Sequence, residues 1–458
     1  MKFGTSGLRG LVTELTDGLC AGYVRAFLQV VPHRGLLMIA RDLRPSSARI
    51  SAAVAAAAND MGLRVADCGE VPTPALALAA MAADAPSVMV TGSHIPADRN
   101  GLKFYTSKGE ITKADEAAIL AAFRAAAPTR PARTEDAGAA RTAYARRYGD
   151  AYGAALKGLR IGVYQHSSVA RDLLGEVLSD LGAVVTPLGR SEVFVPVDTE
   201  AVSDATRAML AGWAAGGAFD AIVSTDGDAD RPLLTDAEGA VIPGDVIGTL
   251  TALSLGATTV VTPVSSNTLI EGSGRFAATA RTRIGSPFVI AEMEARAAEP
   301  GARVAGFEAN GGFLLGFSAR GPAGGLPPLM TRDAFLPIIA TLAAAAAGAL
   351  SIRDLVATLP ARHTASDRLE DVPTDWSNAF VAALSDDPAK RAAFFTGAQE
   401  RSVDRTDGLR VAFTDGSILH LRPSGNAPEL RCYAETDKAT TATALVRATL
   451  DRIADLRP

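Results

Sequence analysis

Ser87-Val88-Met89-Val90-Thr91-Gly92-Ser93-His94-Ile95-Pro96 is the stretch on which the reading of this chain turns. Its opening run of β-formers predicts a short buried strand. The Gly and Pro that follow, with Asn100-Gly101 just beyond, force a tight irregular loop at the strand's end. A hydroxyl on such a loop is expected to be exposed yet held by a rigid strand, as a nucleophile requires. His94 stands beside Ser93, and Lys103 follows on the outgoing segment. A strand-ending turn whose serine caps a helix accounts for the same residues, so the rest of the chain has to decide.

Working outward, strand and helix patterns alternate on both sides of this loop. A helical pattern covers Leu15 to Val31, a strand Leu36 to Ala40, and an Ala-rich helix opens after Arg41-Asp42-Leu43-Arg44-Pro45, with Ser46 or Ser47 as its cap. After the break at Pro128-Thr129-Arg130-Pro131 and a connecting helix, Thr142 to Ala155, the alternation restarts. There the strand Phe219 to Ser224 runs into Thr225-Asp226-Gly227-Asp228-Ala229-Asp230-Arg231. A third restart at Thr259 leads to the strand Ala302 to Phe307, which ends in Glu308-Ala309-Asn310-Gly311-Gly312. Three successive α/β units thus close on a strand that enters a polar, glycine-bearing loop, the place where open α/β sheets bind ligands. From about Ala361 the pattern changes to strands near Leu409–Phe413 and Ser417–Leu421 with helices around them, a smaller α+β domain.

Composition bounds the function. The 458 residues suggest three or four domains, and 48% hydrophobic content with 21% charged supports a large core. A net charge of −5 without a long basic run argues against nucleic acid as partner but leaves room for a local cationic pocket. Cys20, Cys68 and Cys432 show neither metal spacing nor a disulfide framework, which fits a reducing cytoplasm. No signal-peptide pattern opens the sequence. Phe335 to Leu350, mostly Ala and interrupted by Pro337, Thr341 and Gly348, reads as a buried helix, so no membrane partner is expected.

Asp226, Asp228 and Asp230 alternate, so their carboxylates can converge on one hard cation. An EF-hand is excluded because Arg231 and Ala237 stand where that loop needs Gly and Glu. Acids this close repel one another unless a cation or arginines sit nearby, and Arg231 is adjacent. Near the N-terminus, Phe3 to Gly10 surrounds Arg9 with glycines, an arrangement suited to an anion, although an ordinary N-terminal loop accounts for these residues as well. Arg422-Pro423-Ser424-Gly425-Asn426 offers a guanidinium, a hydroxyl and a relaxed backbone, the parts of a phosphate cradle, and reads equally as a plain turn. Glu308 and Asn310 can bond sugar hydroxyls, or simply end a strand. A P-loop is absent, since no Gly-Lys is followed by Ser or Thr.

Taken in order, these loops resemble the α-D-phosphohexomutase family, which includes phosphomannomutases and phosphoglucomutases. The resemblance implies three related α/β domains with mixed sheets around a central cleft plus a C-terminal α+β domain. The expected boundaries are 1–141 with the phosphoserine loop, 142–244 with the metal loop, 245–358 with the sugar loop, and 359–458 with the phosphate loop. It also implies that Ser93 carries a phosphoryl group and, with Asp226, Asp228 and Asp230, holds Mg²⁺. Lys103 and His94 would have acid–base or positioning roles, with Arg9 and Arg231 steadying the transferred group. Arg283, Gly285, Glu308, Asn310 and Arg431 would contact substrate, and Arg422, Ser424, Gly425 and Asn426 would hold the phosphate that is not reacting. The expected substrate is a hexose phosphate, turned over through a hexose 1,6-bisphosphate by a cytoplasmic monomer or homodimer.

The sequence departs from the family where Asn310 and Gly312 replace the usual Ser and His, and where Asn426 and Ala427 replace Thr and Glu. Thr91-Gly92-Ser93-His94 with Asp98 to Tyr105 is closer to phosphomannomutases than to phosphoglucosamine mutases. Mannose 6-phosphate and mannose 1-phosphate are therefore the expected pair. Phosphoglucomutase or dual specificity is the alternative within the class, and a metal-dependent phosphatase with Asp226 as nucleophile, or a catalytically silent sugar-phosphate sensor, lies outside it.

Overall fold

The computed structural model describes residues 2–4, 7–424 and 428–456. The chain divides into two compact units, Met1–Val260 with Gly285–Val356, and Val261–Ile284 with Ala357–Pro458. The division falls within the strand Thr259–Pro263.

In the first unit, Leu36–Arg41 lies between Arg64–Glu70 and Ser87–Val90, parallel to both. Such strands are buried on both faces, which is why they read as continuous apolar runs. Helices Asp17–Val30 and Ser47–Asp60 cover the sheet through Val24, Phe27 and Val54, which share a core with Ile39, Val88 and Phe104. Thr16 caps the first helix by accepting from the Leu19 N–H. The cap expected from Ser46 or Ser47 is absent. The Ser47 hydroxyl instead donates to Asp42 at 2.5 Å, and Ser46 accepts from Asn100 at 2.8 Å. These two serines brace the serine loop rather than the helix.

Beyond Ser87–Val90 the sheet turns antiparallel. Arg99–Thr106 pairs with it on one side and with Gly7–Leu11 on the other, setting Lys103 opposite both Met89 and Gly7. A second sheet carries Val184–Arg190, Arg160–His166 and Ala221–Thr225 in parallel, with Pro232–Leu234 antiparallel at the end. Thr225 pairs with Pro232, so Asp226 to Arg231 is the turn between neighbouring strands. In the third α/β region Phe307 pairs with Phe313, which closes Glu308 to Gly312 into a hairpin, and Phe313 pairs with Asp333. The apolar Ala-rich stretch forms the buried helix Phe335–Ala347, and no helix among the described residues is long and apolar enough to cross a membrane.

The second unit contains an antiparallel sheet in the order His363–Leu369, Leu430–Thr436, Ile418–Pro423, Leu409–Phe413, Glu400–Asp404. Helices Thr374–Asp386, Pro388–Phe394 and Ala439–Ala454 supply its remaining core, with Val381, Phe394 and Leu450 packed against Val411 and Leu421. This is the α+β architecture expected for the C-terminal region.

Candidate active site

Ser93 has a left-handed backbone, φ +54°, a conformation that side chains adopt only when surroundings impose it. The imposition is visible. Asp42 accepts from the Thr91 hydroxyl at 2.7 Å, and that hydroxyl oxygen accepts from the Ser93 N–H at 2.7 Å. Arg44, fully buried, donates from Nε to Asp42 at 3.2 Å and from its terminal nitrogens to the carbonyls of Ser93, Ile95, Pro96 and Arg99 at 2.6–3.0 Å. Phe194 lies over its guanidinium, 3.9 Å from ring centroid to Cζ.

The Ser93 side chain itself is buried, not exposed as the loop reading implied. The acid loop closes over it: a Cβ on Gly227 would stand 2.7 Å from the Ser93 carbonyl oxygen, a separation only glycine permits. Ser93 Oγ donates to Asp226 Oδ2 at 2.5 Å. The nucleophile candidate and the acids are therefore in direct contact.

Asp226, Asp228 and Asp230 are all buried and each offers an oxygen within 4.8 Å of the others. Asp226 Oδ1 accepts from the Asp230 and Arg231 N–H groups at 3.2 and 3.3 Å, which curls the turn around it. Lys103 Nζ donates to Asp228 Oδ2 at 2.6 Å and Asp230 Oδ2 at 2.5 Å, while Thr73 donates to Asp228 Oδ2 at 2.7 Å. Asp228 Oδ1 and Asp230 Oδ1 have no hydrogen-bond partner. Hard oxygen donors left over in this way fit a divalent cation. Burial, then repulsion from Asp228 and Asp230, holds the Asp226 carboxyl well above its ordinary pKa, a strain that a bound dication relieves. At Asp230 burial pushes the same way, but Arg332 and Lys103 outweigh it and the pKa falls.

Around the acids stands a cationic group. Arg231 donates from Nη1 to His94 Nδ1 at 3.0 Å, so the imidazole proton belongs on Nε2, which lies 3.9 Å from Asp198. Burial and then the neighbouring Arg231 push His94 down to about 2, leaving it neutral, with Nδ1 3.2 Å from Ser93 Oγ. Half-buried Arg9 feels burial first and then Arg231 and Arg332, and is pushed down to about 10.

Glu308 and Asn310 are also buried at this place. Glu308 Oε2 pairs with Arg332 at 3.2 Å; Asn310 Oδ1 accepts from Gly312 N–H at 3.0 Å, and its carbonyl accepts from Thr199 at 3.1 Å. Gly285 precedes the helix Ser286–Ala297 in this same unit. Arg283, Arg422, Ser424 and Arg431 belong to the second unit. There Arg422 and Arg431 face each other across paired strands, and Arg422 contacts Asp407 at 3.0 Å, whose Oδ2 also accepts from the Ile284 N–H at 2.9 Å. Gly425 and Asn426 lie outside the described residues.

Sequence reasoning missed Arg332, Glu110, Thr73 and Asp198, and took Arg41-Asp42-Leu43-Arg44 only for a helix entrance. Arg332 carried one available signal, since Leu329–Asp333 is a further strand that ends at a helix start. The others announce themselves only through contacts between distant segments.

Comparison with known proteins agrees with this geometry. Models of "Phosphoglucomutase/phosphomannomutase" α/β/α domain I, α/β/α domain III and the C-terminal domain match residues 1–130, 243–363 and 378–452. The chain is 48% identical to a phosphomannomutase of Sinorhizobium fredii, covering 96% of both chains, and 44% identical to one of Salmonella muenchen, covering 99% of this chain and 95% of that one. Its fold superposes with a TM-score of 0.80 on a Thermus thermophilus protein provisionally assigned as a phosphomannomutase, at 23% identity over 100% and 98% of the two chains. The TM-score is 0.61, at 17% identity over 100% and 95%, with an Aspergillus fumigatus N-acetylphosphoglucosamine mutase variant in complex with glucose 1,6-bisphosphate. The chain belongs to the α-D-phosphohexomutase family, in its phosphoglucomutase/phosphomannomutase group.

Proposed function

We propose that this protein is a phosphomannomutase, interconverting mannose 6-phosphate and mannose 1-phosphate through a phosphorylated Ser93 and a hexose 1,6-bisphosphate. The observation that carries the reading is the 2.5 Å contact between Ser93 Oγ and Asp226, a member of the buried acid trio. The 48% and 44% identical relatives bearing that name support the sugar. Mg²⁺, held by Asp226, Asp228, Asp230 and the phosphate on Ser93, would neutralise charge on the transferring group.

In the first half-reaction the Ser93 Oγ–P bond breaks as a P–O bond forms to the free hydroxyl of the hexose phosphate. The hydroxyl proton ends on Ser93 Oγ, with Lys103, which donates to Asp228 and Asp230, in an acid–base or positioning role. His94 has an acid–base or positioning role beside the serine, while Arg9 and Arg231 steady the charge that develops on the phosphoryl oxygens. The bisphosphate then turns over and returns its other phosphoryl group to Ser93 by the reverse exchange. Glu308 and Asn310 grip sugar hydroxyls in either orientation, Arg283, Gly285 and Arg431 are further substrate contacts, and Arg422, Ser424, Gly425 and Asn426 take the phosphate at rest. The burial of Ser93 supports a phosphoserine that would be kept from water.

We assign the four domains to residues 1–141, 142–244, 245–358 and 359–458, and place the enzyme in the cytoplasm as a monomer or homodimer without nucleic-acid or membrane partners. Assay of purified protein with mannose 1-phosphate and glucose 1-phosphate, each primed by its 1,6-bisphosphate, tests the sugar. A kcat/KM at least about tenfold higher for mannose is expected. Equal or reversed values would make it a dual-specificity enzyme or a phosphoglucomutase.

A further inference from the structure

Arg332 sits at the end of the strand Leu329–Asp333 with only 3% of its side chain exposed. Its Nη2 lies 2.9 Å from Asp230 Oδ2, its Nη1 3.2 Å from Glu308 Oε2, and its Nε 3.4 Å from Glu110 Oε1. Glu110 in turn accepts from the Ser286 hydroxyl at 2.6 Å, at the first residue of the helix that follows Gly285. One guanidinium thus touches a carboxylate from the acid loop, another from the sugar loop, and a third that braces the segment beside Gly285.

The chain makes room for this contact. A Cβ on Gly312 would stand 2.9 Å from Arg332 Cδ and 3.0 Å from Cγ, so the arginine stem crosses the sugar loop in space that any other residue would fill. Its backbone is fixed from the far side. Asp333 accepts from Tyr144 at 2.6 Å and Tyr148 at 2.5 Å, and also from the Phe335 N–H at 2.9 Å. A planar fork with no freedom to move holds its partners in a set orientation.

We propose that Arg332 is a positioning residue that couples the two loops, fixing Asp230 for the metal and Glu308 for the sugar through the same guanidinium. For what Glu308 grips, this rests on the mutase reading above. Arg332 and Lys103 both engage Asp230 Oδ2, and Oδ1 is the oxygen left without a hydrogen bond. A change at Glu308 is therefore felt at Asp230: with Glu308 neutral, the guanidinium bears more heavily on Asp230 and the cation is held less tightly.

A double-mutant cycle read by Mn²⁺ titration with electron paramagnetic resonance, on the full chain without sugar, tests this. Glu308→Gln should weaken Mn²⁺ binding about threefold or more in the otherwise native protein, and by clearly less when Arg332→Met is already present. Arg332→Met should also raise KM for mannose 1-phosphate about tenfold, with part of the loss recovered in Arg332→Lys. An equal Mn²⁺ shift in both backgrounds would overturn the coupling. Should Arg332→Met not fold, the same cycle built on Arg332→Lys decides, because an ammonium cannot bridge both carboxylates in a fork. Turnover of mannose 1-phosphate by the native enzyme is scored separately. Its failure would remove the mutase reading and leave the Mn²⁺ cycle standing.

Discussion

The loop carrying Ser93 is held by a buried guanidinium whose terminal nitrogens all donate to neutral carbonyls, whereas the loop carrying Asp226, Asp228 and Asp230 is held by cations paired with its own carboxylates. The first arrangement fixes shape and adds no charge partner at the reacting oxygen. The second balances charge while leaving an oxygen of Asp228 and of Asp230 without a hydrogen bond. A nucleophile needs position above all, and a cation site needs negative charge that is only partly neutralised, so one cleft uses arginine in two ways.

Breaking the two loops separately should give different signatures. Ser93→Ala removes the covalent carrier and should cost on the order of 10⁴-fold or more in mutase turnover, with Mn²⁺ still bound by the acids. Arg44→Met strips the serine loop of its donors and leaves buried carbonyls and Asp42 unpaired. A loss of about 3–5 kcal/mol in unfolding stability is expected by denaturant titration, since removing one partner of a buried pair leaves the other uncompensated. Lys103→Met should lower kcat about 10²–10³-fold yet tighten Mn²⁺ binding, because Asp228 and Asp230 lose their fixed cation. Weaker Mn²⁺ binding in that variant would show that Lys103 organises the acids rather than competing for them. Gly227→Ala, which pushes a methyl against the Ser93 carbonyl, should cost about 1–3 kcal/mol by the same titration.

The contrast also explains what the sequence disclosed. Both loops follow apolar strands and carry their chemistry in contiguous residues, so Ser93, Asp226, Asp228 and Asp230 could be picked out by pattern. Strand order was less legible. Nothing local says that Leu36–Arg41 lies between Arg64–Glu70 and Ser87–Val90, because parallel pairing depends on the crossovers between strands. Arg44 and Arg332 were harder still. Arg44 is a basic residue in a short loop before a helix and Arg332 one near the end of a strand, and the importance of each lies in partners that fold from other segments. The same limit applies to the Ser93 side chain, which a loop reading exposes and the neighbouring Gly227 turn buries.

The most direct test of a phosphoryl-carrying Ser93 is the intact mass of the protein before and after incubation with a hexose 1,6-bisphosphate and Mg²⁺. The native chain should gain the mass of one phosphoryl group and Ser93→Ala should gain none. No gain in the native chain across repeated preparations, or the same gain in Ser93→Ala, would contradict the account.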